Sequence, residues 1–137
     1  MYYINSETFE IYRDAADHRY KSPTFECDEL MSPIIAELNK KGYTTLFCCS
    51  GHLVDEEFGG QVFDFSNAYI SFDRTAFNVK KLQIPRGFEV DKECDNFVIR
   101  KQYTQENRFR EILETMLELE TWVSYLKPIR KFSIKGE

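Results

Sequence analysis

The stretch from Leu38 to His52 most constrains the fold, because it joins a helix pattern directly to a strand pattern. Apolar residues recur at three- and four-residue intervals up to Leu38, and Gly42 follows them as a typical C-terminal glycine of a helix. Residues 43–49 are mostly β-branched, aromatic or otherwise apolar, and they predict a buried strand that ends at a sharp turn containing Gly51. A chain with this junction is neither all-helical nor all-strand.

The same two periodicities continue along the chain. Spacing and turn residues predict strands over 8–13, 43–49, 68–72, 88–90 and 97–101, and helices over 28–41, 75–82 and 104–127. The first of these helices contains Pro33, so either Ser32 caps a helix that begins at the proline, or a first turn from Asp28 bends there. The order β-α-β-β-α-β-β-α predicts one α+β domain over 1–137, with helices on one face of a mostly antiparallel or mixed sheet.

Composition places the chain among soluble globular proteins. Of its 137 residues, 42% are hydrophobic and 15% are aromatic, too many for a disordered chain, and no apolar run approaches the roughly 20 residues that cross a bilayer. The first residues show no basic and apolar secretory signal, so we expect a cytoplasmic location and no membrane partner. In that compartment we expect Cys27, Cys48, Cys49 and Cys94 to be free thiols.

The net charge of -5 argues against a broad nucleic-acid surface, because affinity for nucleic acids comes largely from lysine and arginine. Two local basic clusters are present, and we interpret both as solvated surface. They contain Lys80, Lys81 and Arg86, and Lys127, Arg130, Lys131 and Lys135. A nucleic-acid partner is therefore not expected.

The residues from Cys48 to His52 bring two thiols, a hydroxyl and an imidazole to the exit of one predicted strand. In one interpretation Cys49 is a nucleophile and His52 is its base. In a second, Ser50, Gly51 and the backbone N–H groups of the turn bind a ligand, with His52 as acid or base. The third is a metal site, for which the paired Cys-x-x-Cys clusters of structural zinc sites are absent.

We therefore assign Cys49 and His52 as candidate catalytic residues and Ser50 and Gly51 as candidate ligand-binding residues, and we predict no metal. Residues 53–61 are acidic and glycine-rich, and they predict a mobile loop that closes over this site. Against the functional interpretation stands a structural one, in which the hydroxyl and imidazole only satisfy groups of the local backbone.

This part of the sequence resembles the tRNA wybutosine-synthesising methyltransferase family. That family has an Asn, a Tyr/Thr-rich strand and then Ser-Ser-Cys-Ser-Gly-Arg; this chain has Asn39, Tyr43-Thr44-Thr45 and Cys48-Cys49-Ser50-Gly51-His52, with Asp28 at the position of a family acidic residue. The resemblance spans roughly residues 28–125 and is most specific at Cys49-Ser50-Gly51. It implies an active site at this motif, S-adenosylmethionine as cofactor and a modified guanosine of tRNA as substrate. Here His52 stands in place of the family arginine.

Together these features predict a small domain that binds a nucleotide-like or S-adenosylmethionine-like molecule at the Cys-Ser-Gly-His turn. If the domain is an enzyme, His52 is its acid or base. The alternative is an interaction or regulatory protein without chemistry, in which the turn is structural.

Overall fold

The structure is a computed structural model that describes residues 2–13, 23–51, 56–58, 61–63, 67–104 and 106–129. Nine strands and two α-helices are assigned within these residues. The strands are β1 (Tyr2–Asn5), β2 (Ile11–Tyr12), β3 (Thr24–Cys27), β4 (Thr45–Cys49), β5 (Glu56–Phe58), β6 (Gln61–Phe63), β7 (Asn67–Phe72), β8 (Glu89–Asp91) and β9 (Phe97–Gln102). The helices are α1 (Ser32–Lys40) and α2 (Arg108–Tyr125), and a 3₁₀ turn covers Val79–Lys81.

All strand pairings within the described residues are antiparallel. A three-stranded sheet has the order β2-β1-β3, a four-stranded sheet has the order β4-β7-β9-β8, and β5 and β6 form a separate hairpin. The predicted α+β class and its mainly antiparallel sheet are thereby confirmed, with two larger sheets in place of the single one expected.

One continuous apolar core lies between these sheets and the two helices. Helix α1 contacts β1, β2, β4 and α2. The central strands β7 and β9 contribute Ala68, Ile70, Phe72 and Ile99, all fully buried, and the facing side chains include Ile34, Ile35, Leu38, Ile112, Met116 and Leu119. Because side chains alternate along a strand, the opposite face of the four-stranded sheet is left for other contacts.

Both helices end close to where the sequence predicts, whereas α2 starts at Arg108 and not at the predicted residue 104. Helix α1 begins at Ser32 with Pro33 in its first turn, where a missing N–H costs little. A separate turn precedes it, in which the Met31 N–H donates to the Asp28 carbonyl. The Ser32 hydroxyl donates to the Glu29 carbonyl and does not cap the helix. Helix α2 ends at Tyr125, shortly before Pro128.

The strand predicted over 8–13 is wrong in most of its length, because only Ile11–Tyr12 pair with β1. The Asn5 carboxamide oxygen accepts hydrogen bonds from the N–H groups of Glu7 and Thr8, and Phe9 has a φ of 61°. These features make residues 6–9 a turn, which the apolar alternation of the sequence did not indicate.

Three other local predictions also needed correction. Strand β4 is not buried throughout, since Leu46 is 45% exposed and Phe47 is 64% exposed on an edge strand with an irregular register. The helix predicted over 75–82 is reduced to the 3₁₀ turn, whose cap is Asn78. Within the predicted acidic loop, Glu56–Phe58 and Gln61–Phe63 pair as a hairpin, while the rest of that loop lies outside the described residues.

Among the helices of the described chain, none is both long enough and apolar enough to cross a membrane.

Candidate functional site

The turn after β4 is held by a carboxylate from another part of the chain. One oxygen of Asp28, Oδ2, accepts two hydrogen bonds from Ser50, at 3.0 Å from the backbone N–H and at 2.6 Å from the hydroxyl. Asp28 directly follows β3, so these bonds join the end of one sheet to the end of the other. We call this pair of bonds the Asp28–Ser50 clasp.

The carbonyl group of Ser50 also has a hydrogen-bond partner, in addition to its N–H and its hydroxyl. Its carbonyl oxygen accepts a hydrogen bond of 2.8 Å from the Tyr103 hydroxyl, which follows β9. Ser50 is only 2% exposed. Burial raises the pKa of Tyr103 to about 12, against a smaller lowering by the neighbouring Thr115 hydroxyl, so the phenol remains a donor at neutral pH. These contacts use Ser50 to fix the turn.

Gly51 takes the backbone conformation that the sequence predicts for the sharp turn. Its φ is 93°, a region in which an L side chain is strained. Its N–H donates to the Cys49 sulfur at 3.4 Å. Gly51 is buried, and His52, which follows it, lies outside the described residues.

Cys49 lies on the face of the four-stranded sheet opposite the core. In register with it across the sheet stand Tyr69 on β7 and Arg100 on β9. Directly opposed residues of antiparallel strands share a face and bring their Cβ atoms to about 5 Å. Cys49, Tyr69 and Arg100 therefore form a row, which together with Phe47 on the same face we call the site face.

Arg100 is the centre of the polar contacts on the site face. Its guanidinium carbon lies 5.1 Å from the centroid of the Tyr69 ring. Nε donates to Asp91 at 3.2 Å, and Nη1 donates to the Asn67 side-chain oxygen at 2.6 Å. These contacts fix the plane of the guanidinium while 30% of the side chain stays exposed.

A cleft of about 660 Å³ opens beside Arg100 along the edge strand β8. Its wall is mostly charged and polar, and it includes Glu89, Asp91, Lys92, Glu93, Arg100 and Gln102. The pKa of Asp91 is lowered by the Cys94 thiol, by the Glu93 N–H and by Arg100, so this carboxylate is ionised at neutral pH. The cleft offers fixed charges of both signs.

The thiol of Cys49 is not activated by its described neighbours. Burial raises its pKa, and the lowering by the Gly51 N–H and by Arg100 is smaller. The thiol form therefore dominates at neutral pH in these surroundings, which does not favour the nucleophile interpretation.

The structure thus brings Cys49, Ser50 and Gly51 together but turns them in different directions. The Cys49 side chain lies on the site face, whereas Ser50 points into the protein, towards Asp28 and Tyr103. Sequence reasoning did not find Tyr69, Arg100 or Asp91, since only the register of β4, β7, β9 and β8 places them beside Cys49. Within the described residues, no group of three or more His, Cys, Asp and Glu side chains is arranged to hold a metal ion.

Comparison with known proteins gives no family for this chain: no family model, curated protein or solved structure matches it.

Proposed function

We propose that this protein binds a small nucleoside-like molecule with charged groups of both signs, of the S-adenosylmethionine class, on the site face and in the adjoining cleft. The observation that carries the proposal is the placement of Arg100. It is oriented by Tyr69, Asn67 and Asp91, and it borders both the row of Cys49 and the charged cleft.

The charges of the cleft favour this ligand class over a simple nucleotide. The planar guanidinium of Arg100 suits a carboxylate, which it can bind through two N–H groups. Three acidic side chains, Glu89, Asp91 and Glu93, outnumber the two basic ones in the wall. An ammonium or sulfonium group is therefore better accommodated there than a phosphate.

The site face also provides aromatic surface for a ring. Phe47 is 64% exposed on the same face as Cys49 and Tyr69. A purine placed against such a ring gains from stacking and from removal of apolar area from water. The turn at Ser50 and Gly51 then positions this face, and His52 remains the proposed acid or base.

Isothermal titration with S-adenosylmethionine, S-adenosylhomocysteine and adenosine monophosphate tests this proposal. We expect saturable binding of S-adenosylmethionine with Kd in the micromolar to millimolar range, roughly 4 to 8 kcal/mol, and the weakest binding for the monophosphate. Arg100→Gln should weaken the first affinity about tenfold or more, as expected for loss of a charged hydrogen-bond donor.

Arg110→Gln is the matched control, because Arg110 is an exposed arginine on α2 that pairs only with Glu114 among the contacts of the described residues. It should bind as the parent does. Equal weakening by both substitutions, or no saturation by any compound at millimolar concentration, would contradict the proposal.

Every polar group of Ser50 has a hydrogen-bond partner within the protein. This observation supports a second candidate function, in which the turn is purely structural and the protein is an interaction or regulatory protein without catalytic chemistry. The same titration distinguishes the two, since only the first expects a saturable small ligand.

A further inference from the structure

Two free cysteines from different sheets meet beside the Asp28–Ser50 clasp. Cys27 ends β3 in the three-stranded sheet, and Cys48 lies on β4 in the four-stranded sheet. Their sulfur atoms are 3.7 Å apart, in van der Waals contact. The two residues are 21 positions apart in sequence, so their contact is a consequence of the fold.

Cys48 and Cys49 have different neighbours because side chains alternate across a strand. Cys48 packs against the core, where Cys27 is 3% exposed, while Cys49 lies on the site face. Cys27 therefore has one close thiol partner among the described cysteines, and it is Cys48.

We propose that Cys27 and Cys48 form a reversible disulfide, a redox site that covalently joins the two sheets next to the clasp. The bond requires the sulfur atoms to approach from 3.7 Å to about 2.05 Å. Both residues lie in paired strands, Cys27 opposite Tyr2 and Cys48 opposite Ile70, so the proposal assigns the whole change to the two side chains. The oxidant is a low-molecular-weight disulfide such as oxidised glutathione, or a peroxide.

With a glutathione disulfide, the reaction is two successive exchanges. The Cys48 thiolate attacks one sulfur of the oxidant and releases a glutathione thiolate. The Cys27 sulfur then attacks the mixed disulfide at Cys48 and releases the second glutathione. Two electrons pass from the protein thiols to the oxidant, and the two thiol protons end on the two released glutathiones.

The environment assigns the two steps to the two residues. The hydrogen bond between the two sulfur atoms lowers the pKa of Cys48, which favours Cys48 as the attacking sulfur. Cys48 is also the more exposed of the two. The same hydrogen bond, together with burial, raises the pKa of Cys27, which keeps it a thiol until the mixed disulfide forms.

The bond would act on the turn that precedes His52. Cys27 is adjacent to Asp28, and Cys48 is two residues before Ser50, so the disulfide joins the same two segments as the clasp. The disulfide closes the loop from Cys27 to Cys48, which are 21 positions apart. Closing this loop restricts the unfolded chain, and we expect the melting temperature to rise by roughly 5 to 10 °C.

Oxidation of the folded full chain with oxidised glutathione, followed by non-reducing peptide mapping, tests the inference. We expect a Cys27–Cys48 linked peptide, loss of two free thiols per chain and full reversal by dithiothreitol. Cys49→Ser and Cys94→Ser should both form the same linked peptide and show the same rise in melting temperature. Cys48→Ser should lose both.

Three results would overturn the proposal. These are a link from Cys27 to Cys49, a link between two chains, and stable glutathionylation of Cys48 with no internal bond. If Cys48→Ser proves too unstable to purify, the peptide map of the parent and of Cys49→Ser decides the question alone.

Discussion

The Asp28–Ser50 clasp shows how one residue gives the turn its structure. A single buried serine provides two donors to a carboxylate and one acceptor to a phenol, and each partner belongs to a different segment. Hydrogen bonds to a charged group are among the stronger ones in proteins. The Ser50 hydroxyl therefore contributes to the stability of the fold, whatever binds nearby.

Ser50→Ala removes one of these bonds, and we expect it to lower the free energy of unfolding by about 1 to 3 kcal/mol. Urea denaturation measures this change. Ser124→Ala is the control, because that hydroxyl donates to the Thr121 carbonyl on the exposed side of α2 and its loss should cost no more than about 0.5 kcal/mol. Equal stability of Ser50→Ala and the parent would show that the clasp contributes little.

Because of Tyr103, we expect the stability of the folded protein to decrease at alkaline pH. Its pKa is raised from 10.0 to about 12 in the folded protein, mainly by burial. Below pH 10 the phenol is neutral in both states and its stabilisation is complete. As pH rises from 10 towards 12 the unfolded chain loses its proton first, so the folded state loses stability.

We therefore expect the stability difference between the parent and Tyr103→Phe to shrink as pH rises through this window. The variant lacks the hydrogen bond to the Ser50 carbonyl at every pH, and the other tyrosines cancel in the difference. Urea denaturation of both proteins at a series of alkaline pH values measures it. A difference that stays constant up to pH 12 would rule out this role of Tyr103.

At the scale of elements, the connection between α1 and β4 fixes the end of α2. The Lys41 ammonium donates to three carbonyls at that end, Val123 at 2.6 Å, Ser124 at 3.2 Å and Leu126 at 2.9 Å. The Lys41 carbonyl in turn accepts from the Ile129 N–H. The last carbonyls of a helix lack partners within the helix and carry partial negative charge, so a cation is favourable there.

Lys41→Met should therefore destabilise the protein by about 1 to 3 kcal/mol, since it removes charged donors and leaves helix carbonyls unpaired. Lys80→Met is the control, because Lys80 is exposed on the 3₁₀ turn. We expect thermal melting to show a clear decrease for the first variant and almost none for the second. Similar melting of both would mean that the cap contributes nothing measurable.

The elements also show which parts of the fold sequence patterns reveal. Helices α1 and α2 and strands β7 and β9 have long apolar repeats, and their positions were predicted within a few residues. Strands β1 and β3 pair along their whole length but are only four residues each, and their apolar patterns are too short to identify. The turn at Asn5 depends on side-chain hydrogen bonds, which a hydrophobic pattern does not report.

At the scale of the whole molecule, the sequence pattern points to Cys49 but not to the residues that lie beside it on the site face. Cys49 and Gly51 stand out because Cys49 ends a strand and Gly51 forms the turn that follows it. Arg100 lies 51 positions further along the chain than Cys49, and only the pairing of β7 with both β4 and β9 brings the two side chains to one face. A pattern along one chain holds no information about such pairings.

The net charge of the chain predicts whether tRNA is a substrate in addition to the proposed small ligand. The chain carries a net charge of -5, and the basic cluster of Lys80, Lys81 and Arg86 offers few contacts to phosphates. Because binding to nucleic acids weakens steeply with salt, we expect no tRNA binding at physiological ionic strength. Fluorescence anisotropy with labelled tRNA measures this across a salt series. Micromolar binding at physiological salt would contradict the prediction and return tRNA to the candidate substrates, whereas binding of S-adenosylmethionine alone would point to another methyl acceptor.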